Sequence, residues 1–224
     1  MTTAELIELF RGLSADNTPK YLWSDALLCR LASEAEKEAA VRSRLLVDSL
    51  TPDLCVKELD AGTRFLELDP RVVFIRRVKL ASKEMPLAKI HRKDLDMIQP
   101  GWEDAPAGDT TNYCGNYTNG RIYFVQPLEA DDTIRLTVVR EPLAALALSG
   151  PAVNPEIPAY YHEKLVHWMF WRALYMRDVE EKYDPVAAKE QYNQFEGVFG
   201  PPLTARDRKW FQDEHGYDEF EGLY

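Results

Sequence analysis

Cysteine is scarce in this chain. Cys29, Cys55 and Cys114 are odd in number and widely spaced, which fits reduced thiols in a cytosolic setting better than a disulfide framework or a zinc site. No apolar run approaches the ~20 residues of a membrane span. No basic-then-apolar leader opens the sequence either, so a soluble protein made in a cytoplasm, and not exported by the general secretory route, is expected. Positive charge is the scarcer sign: 27 Lys and Arg stand against 37 Asp and Glu, a net charge of -10. Phosphate binding needs clustered Lys and Arg, so a nucleic-acid groove is not expected. A Gly-rich phosphate loop and a Gly-x-Ser-x-Gly elbow are both missing. His162 and His167 are the nearest approach to a metal pair. They are five apart, about 140° round a helix, where a helical zinc motif needs four apart and about 40°. One packed and one surface or interface histidine is the expectation, with no metal and no cofactor. Carboxylates are plentiful enough for chance pairs at glycosidase spacing, and no catalytic residue is assigned.

Apolar helix surface is what the chain has in surplus. Residues 160–199, YYHEKLVHWMFWRALYMRDVEEKYDPVAAKEQYNQFEGVF, read as two helices hinged at Asp184-Pro185 and stopped by Gly200-Pro201-Pro202. At about 100° per residue, Tyr161, Leu165, Met169, Ala173 and Met176 form one stripe. Phe170, Trp171 and Leu174 fall on the opposite side, among Glu163, Lys164, His167 and Asp178. A helix apolar on two sides is either buried in a large core or packed against another chain. The polar remainder of the chain favours the second reading. Phe170, Trp171, Leu174 and His167 are therefore the candidate subunit-interface residues, with the chain's own core as the alternative for Phe170 and Trp171.

Upstream, Ala4, Ile7, Leu9 and Phe10 begin a short helix that ends near Gly12. Ser24 reads as an N-cap, with Asp25 in the first turn of a long helix to about Leu46. Leu28, Leu31, Ala32, Ala35, Ala39 and Leu46 line one face of it; Glu34, Lys37, Val41 and Arg44 lie mostly on the other. Leu22-Trp23 resembles a hydrophobic staple. Arg42 falls near the apolar face, where its stem snorkels or its head pairs with a carboxylate of the β region or of a neighbour.

Residues 54–142 change period. Cys55–Leu59, Arg64–Leu68, Val72–Leu80, Arg121–Val125 and Thr133–Arg140 are short, β-branched and often alternating, and read as strands. Ile134, Leu136 and Val138 mark a core face; Arg135, Thr137 and Val139 mark a wetter one. Asn119-Gly120 is the strongest hairpin signal, and Pro100–Thr111 has the composition of an exposed loop. The expected fold is α+β. N- and C-terminal helices (residues 1–50 and 151–203) form an antiparallel bundle, with an antiparallel β lobe (51–150) inserted between them. Residues 204–224 form a tail, helical at first over Ala205–Asp213. Its Trp210, Phe211, Tyr217, Phe220 and Tyr224 alternate with Asp213, Glu214, Asp218, Glu219 and Glu221. This is too little apolar sequence to fold alone but suited to docking on a partner; a frayed end is the alternative.

Tyr21-Leu22-Trp23-Ser24-Asp25, Leu27-Leu28 and the run Glu34–Ala40 to Arg44-Leu45-Leu46 resemble the long helix of the head-to-tail adaptor proteins of tailed phages. The resemblance resumes at Leu68-Asp69-Pro70-Arg71-Val72 and Ile75-Arg76-Arg77-Val78. It is clearest from Ile157-Pro158-Ala159-Tyr160-Tyr161-His162-Glu163-Lys164-Leu165 through Trp171-Arg172-Ala173-Leu174, Asp178 and Tyr183-Asp184-Pro185 to Phe195 and Phe199-Gly200.

What the resemblance implies is a structural virion protein. It forms a ring, generally of twelve copies, under the portal; it links portal to tail or nozzle protein and helps retain packaged DNA. DNA then passes without sequence-specific binding, which suits the acidic balance. The two-sided helix suits a heterologous contact that closes into a ring, the loop at Pro100–Thr111 suits a tail partner, and the terminal tail is expected on the portal. Arg76-Arg77 are solvated strand charge or a portal-facing pair. A virion-associated cell-wall hydrolase and a transient assembly factor are the alternatives.

Overall fold

The computed structural model describes residues 1–18, 20–115, 120–176 and 183–204. In chain order the elements are α1 (Thr3–Ser14), α2 (Asp25–Arg42), β1 (Val47–Asp48), α3 (Pro52–Cys55), β2 (Val56–Leu59), β3 (Phe65–Glu67), β4 (Val72–Leu80), β5 (Ala88–Ile90), α4 (Arg92–Ile98), β6 (Asn112–Gly115), β7 (Arg121–Phe124), β8 (Asp132–Arg140), α5 (Leu165–Leu174) and α6 (Pro185–Phe199). Short 3-10 turns lie at Trp102–Asp104 and Ala159–Lys164. The fold is α+β. The chain divides into a helical unit, Met1–Leu46 with Glu141–Pro202, and a β unit, Val47–Arg140 with Leu203 and Thr204.

Capping residues set the helix ends. At α1, Thr2 and Glu5 form a reciprocal box: the Glu5 amide donates to Thr2 Oγ1 (3.1 Å) and the Thr2 amide to Glu5 Oε2 (2.8 Å). The helix runs past Gly12 and closes at Ala15, which is left-handed at φ 57°. Ser24 caps α2 as expected, accepting from the Leu27 amide at 3.3 Å. α2 stops at Arg42, short of Leu46, because Arg44 turns left-handed at φ 52°. Asp184 caps α6 by accepting from the Val186 and Ala187 amides, both at 3.0 Å, with Pro185 in the first turn. The segment before α5 is 3-10 rather than α-helical.

In the helical unit α5 packs against α1, α2 and α6, and α1 packs against α2. Leu6, Phe10, Trp23, Leu28, Leu31, Leu165, Met169, Phe195 and Phe199 share one core. Arg42 is enclosed there. Its guanidinium lies 5.2 Å from the Trp168 ring, 5.3 Å from Phe195 and 5.6 Å from Tyr192. It also donates to Glu38 Oε2 (2.9 Å) and Gly200 O (3.4 Å). Among the described residues its carboxylate partner is thus on its own helix. Ser43 Oγ donates to Phe199 O at 2.8 Å, so the C-terminal ends of α2 and α6 are tied together. Val41, placed on the polar face by its spacing, is buried. No described helix is long and apolar enough to cross a membrane.

In the β unit β8 is the central strand. β4 pairs along one side of it, and β1 then β2 along the other, all antiparallel. Ile134, Leu136 and Val138 are buried as expected, but so is Val139, because β1 covers that end of β8 in the register Val47↔Val139. A buried ion pair fixes the same end. Asp48 Oδ2 accepts from Arg140 Nε (2.6 Å) and Thr51 Oγ1 (2.6 Å), and Oδ1 from the Leu50 (2.8 Å) and Thr51 (3.0 Å) amides. The second sheet has the order β3-β7-β6-β5. β6 and β7 are antiparallel, flanking the expected hairpin. Gly120 has φ +79°, and residues 116–119 of that turn lie outside the described residues.

The expected all-antiparallel lobe is corrected at β5, which pairs parallel to β6. Parallel neighbours need a crossover of a dozen or more residues, and residues 91–111, with α4 and a 3-10 turn, supply it. Most of Pro100–Thr111 is exposed, as expected, but Trp102, Ala105 and Thr110 are buried and anchor it. Trp102 is 2% exposed and its Nε1 donates to Asp96 Oδ1 (2.9 Å). Arg64 donates to Trp102 O (3.1 Å) and Ala105 O (2.6 Å), and Thr110 Oγ1 to Gln126 O (2.8 Å). The loop is held at three points. Arg76 and Arg77 are exposed on β4.

Candidate functional site

A groove of about 440 Å³ lies within the helical unit. It is lined by Leu13 and Ser14 of α1, Trp23, Val166, His167, Phe170 and Leu174 of α5, and Gln191 of α6. Its first wall is built by Arg11. This buried guanidinium donates through Nη1 to Asp16 Oδ2 (2.7 Å), and through Nη2 to Trp23 O (2.9 Å) and Asp25 Oδ1 (2.6 Å). Asp16 Oδ1 in turn accepts from the Leu22 amide at 2.9 Å, and the Tyr21 ring stacks 3.7 Å from the guanidinium. The α1–α2 connection is thereby folded over one cation, which sets Trp23 edge-on to Phe10 at 5.3 Å.

The second wall is α5. Phe170 meets Phe10 at 4.6 Å between ring centres, so Phe10 backs both walls. His167 Nδ1 lies 2.8 Å from Gln191 Oε1. With an amide oxygen as acceptor, Nδ1 is the donor. The Trp23 indole N–H is buried with no acceptor among the described residues. Among the described residues no Lys, Arg, Asp or Glu lines the groove, and the Ser14 hydroxyl donates to Arg11 O at 3.3 Å. Such a surface can desolvate an apolar body.

Three of the four residues named as interface candidates, His167, Phe170 and Leu174, converge on this groove. Trp171 does not. It lies beside the groove residues, between Trp168 (4.5 Å) and Tyr192 of α6 (4.9 Å). All four are half-buried, and Phe170 and Trp171 pack against the chain's own core. The candidate docking residues Trp210, Phe211, Tyr217, Phe220 and Tyr224 lie outside the described residues, as do Asp178 and the expected helix Ala205–Asp213. His162 faces Met1 O (3.1 Å) and Ile157 O (2.8 Å) through its two ring nitrogens, away from His167 and its partner.

Sequence reasoning missed Leu13 and Trp23 as groove residues. Leu13 continues the Leu6–Phe10 stripe by three residues yet is 62% exposed. Taking Gly12 for the helix end hid it.

Residues 1–213 match a protein family described as SU10 adaptor protein. No curated protein matches the chain.

Proposed function

The chain belongs to the SU10 adaptor protein family, a phage head-to-tail adaptor family, and we propose that it is a structural component of the virion neck. In this reading copies assemble into a ring, taken as a dodecamer, beneath the portal. The ring joins portal to tail or nozzle protein and helps retain the packaged genome. The helical unit, taken as an antiparallel bundle, supplies the subunit contact through His167, Phe170 and Leu174, with Trp171 at its margin. The aromatic residues of the tail, Trp210, Phe211, Tyr217, Phe220 and Tyr224, engage the portal. DNA passes an acidic protein of net charge -10 without base-specific contact. The role is structural and not enzymatic.

The observation that supports this most directly is the groove beside α5. Half-buried apolar side chains around an open cleft fit a heterologous contact that repeats around a ring. Mixing the purified protein with portal rings and imaging the product tests it. Wild type is expected to add a ring of density, and a folded Leu174→Glu chain is expected to add none. Rings that persist with Leu174→Glu would remove the groove from the interface, and wild-type protein that ignores portal rings would remove the adaptor role.

A further inference from the structure

The groove has polar features that a purely apolar contact would leave unused. Trp23 is 1% exposed and its indole N–H has no acceptor among the described residues; a buried donor in that state is destabilising until an oxygen reaches it. Gln191 accepts from His167 through Oε1, which leaves its amide nitrogen as a second donor on the same wall. The groove therefore suits an aromatic or aliphatic body with oxygen acceptors beside it.

One segment of that description lies outside the described residues. Of five tryptophans, Trp23, Trp102 and Trp168 are buried, and Trp171 is stacked on Trp168 and Tyr192. The fifth, Trp210, stands beside Phe211 and is followed by Gln212, Asp213 and Glu214. α6 ends at Gly200. The ten residues from there to Trp210 span at most ~33–36 Å when extended, several times the ~8–10 Å between packed helices. A segment of that length can bridge to a copy packed alongside.

We infer that Trp210 and Phe211 of one copy seat in the α5 groove of the next, with an oxygen of residues 211–214 accepting from the Trp23 N–H. This rests on the ring reading and names the occupant of the same groove. It confines the portal-facing anchors to Tyr217, Phe220 and Tyr224. Each subunit gives one plug and receives one, the head-to-tail arrangement that closes into a ring.

Two full-length variants test it. Trp210→Ala/Phe211→Ala keeps the groove and lacks the plug; Leu174→Glu keeps the plug and lacks the groove. In sedimentation velocity each alone is expected to remain a single copy. Their equimolar mixture is expected to form two-copy complexes at concentrations at least tenfold below any self-association of either. The Trp23 indole resonance of the plug-less chain should move as the Leu174→Glu chain is added. If Leu174→Glu fails to fold, Gln191→Glu serves as the groove variant. A mixture with neither complex nor shift overturns the inference. So does a Trp23 resonance that differs between wild type and the plug-less chain at every concentration, which would mean that each plug fills its own groove. Complete portal-bound rings built from the plug-less chain overturn the inference while leaving the adaptor role standing, whereas wild-type protein that ignores the portal removes that role first.

Discussion

In the helical unit the largest side chains meet one another. Phe10 and Trp23 form one ring contact, and Trp168, Trp171, Tyr192, Phe195 and Phe199 a separate run of them, at 4.5 to 6.4 Å, with the Arg42 cation set among three of the second group. In the β unit the centre is a strand, β8, paired on both sides, and one end of it is pinned by the ion pair of Asp48 with Arg140 at 2.6 Å. Large rings on packed helices leave clefts such as the one at α5. Strand register holds its core through backbone bonds that recur at fixed spacing. The two units therefore depend on different residue types, and substitutions can separate them.

Asp48→Ala is expected to give the largest effect. It takes away the carboxylate that accepts from Arg140, from the Thr51 hydroxyl and from the Leu50 and Thr51 amides, a loss of about 3 kcal/mol. Urea unfolding reads the size, and hydrogen exchange reads the place. Amides of β1, β2 and β8 should lose protection while those of α2 and α5 keep theirs; equal loss in both units would show that they unfold as one. Acid should act on the same point. Burial pushes the Asp48 carboxyl up, but Thr51 through its hydroxyl and amide, the Leu50 amide and Arg140 outweigh it and hold it well below the usual carboxylate range. A carboxyl depressed in the folded state contributes fully above about pH 4, its unfolded value, and the contribution is lost as pH falls through the folded one. Asp69, held down to about 2 by Arg71, adds loss in the same direction between about pH 4 and its folded value.

The two units were also unequally legible from sequence. Ser24, Asp184-Pro185 and Gly200 announce helix ends through local chemistry, and the structure places caps at all three. β4 and β8 are long enough for their β-branched pattern to show, and the expected bounds hold to within a residue. β1 and β5 have two and three residues, too few to display a period, and their partners β8 and β6 lie beyond intervening elements. α3 and α4 are similarly short. The groove was half legible. The α5 periodicity brought out Phe170, Leu174 and His167, whereas Leu13 and Trp23 reach it only because Arg11 gathers Asp16, Trp23 O and Asp25. Nothing in residue spacing encodes that gathering.

Arg42→Ala sharpens the comparison from the helical side. It removes the 2.9 Å bond to Glu38 and the contacts with three rings. Glu38 is partly exposed and is rehydrated at little cost, so the loss should be about 2 kcal/mol, below that at Asp48. Arg42→Lys should recover only a minor part, because an ammonium lacks the planar face that lies against the rings. Urea midpoints of the three proteins check both statements. A full recovery with Lys would mean that charge alone, and not ring stacking, holds the α2 and α6 ends together.

The smallest expected effect lies at two residues in N-cap positions. Ser24 caps α2 through its hydroxyl oxygen, which accepts from the Leu27 amide. Thr51 occupies the same position before α3 but makes no cap bond; its hydroxyl donates to Asp48 Oδ2 at 2.6 Å. Ser24→Ala should therefore cost about 1 kcal/mol, and Ser24→Asp, which keeps an acceptor there, should stay within about 0.5 kcal/mol of wild type. Thr51→Asp removes a donor and sets a second carboxylate against Asp48, so the same side chain that is tolerated at 24 is expected to lower stability at 51. Thermal unfolding of the variants measures the contrast. A Ser24→Asp chain as weak as Ser24→Ala would show that the α2 start is held by the Arg11–Asp25 pair rather than by the cap, and would shift the weight of that whole wall of the groove onto Arg11.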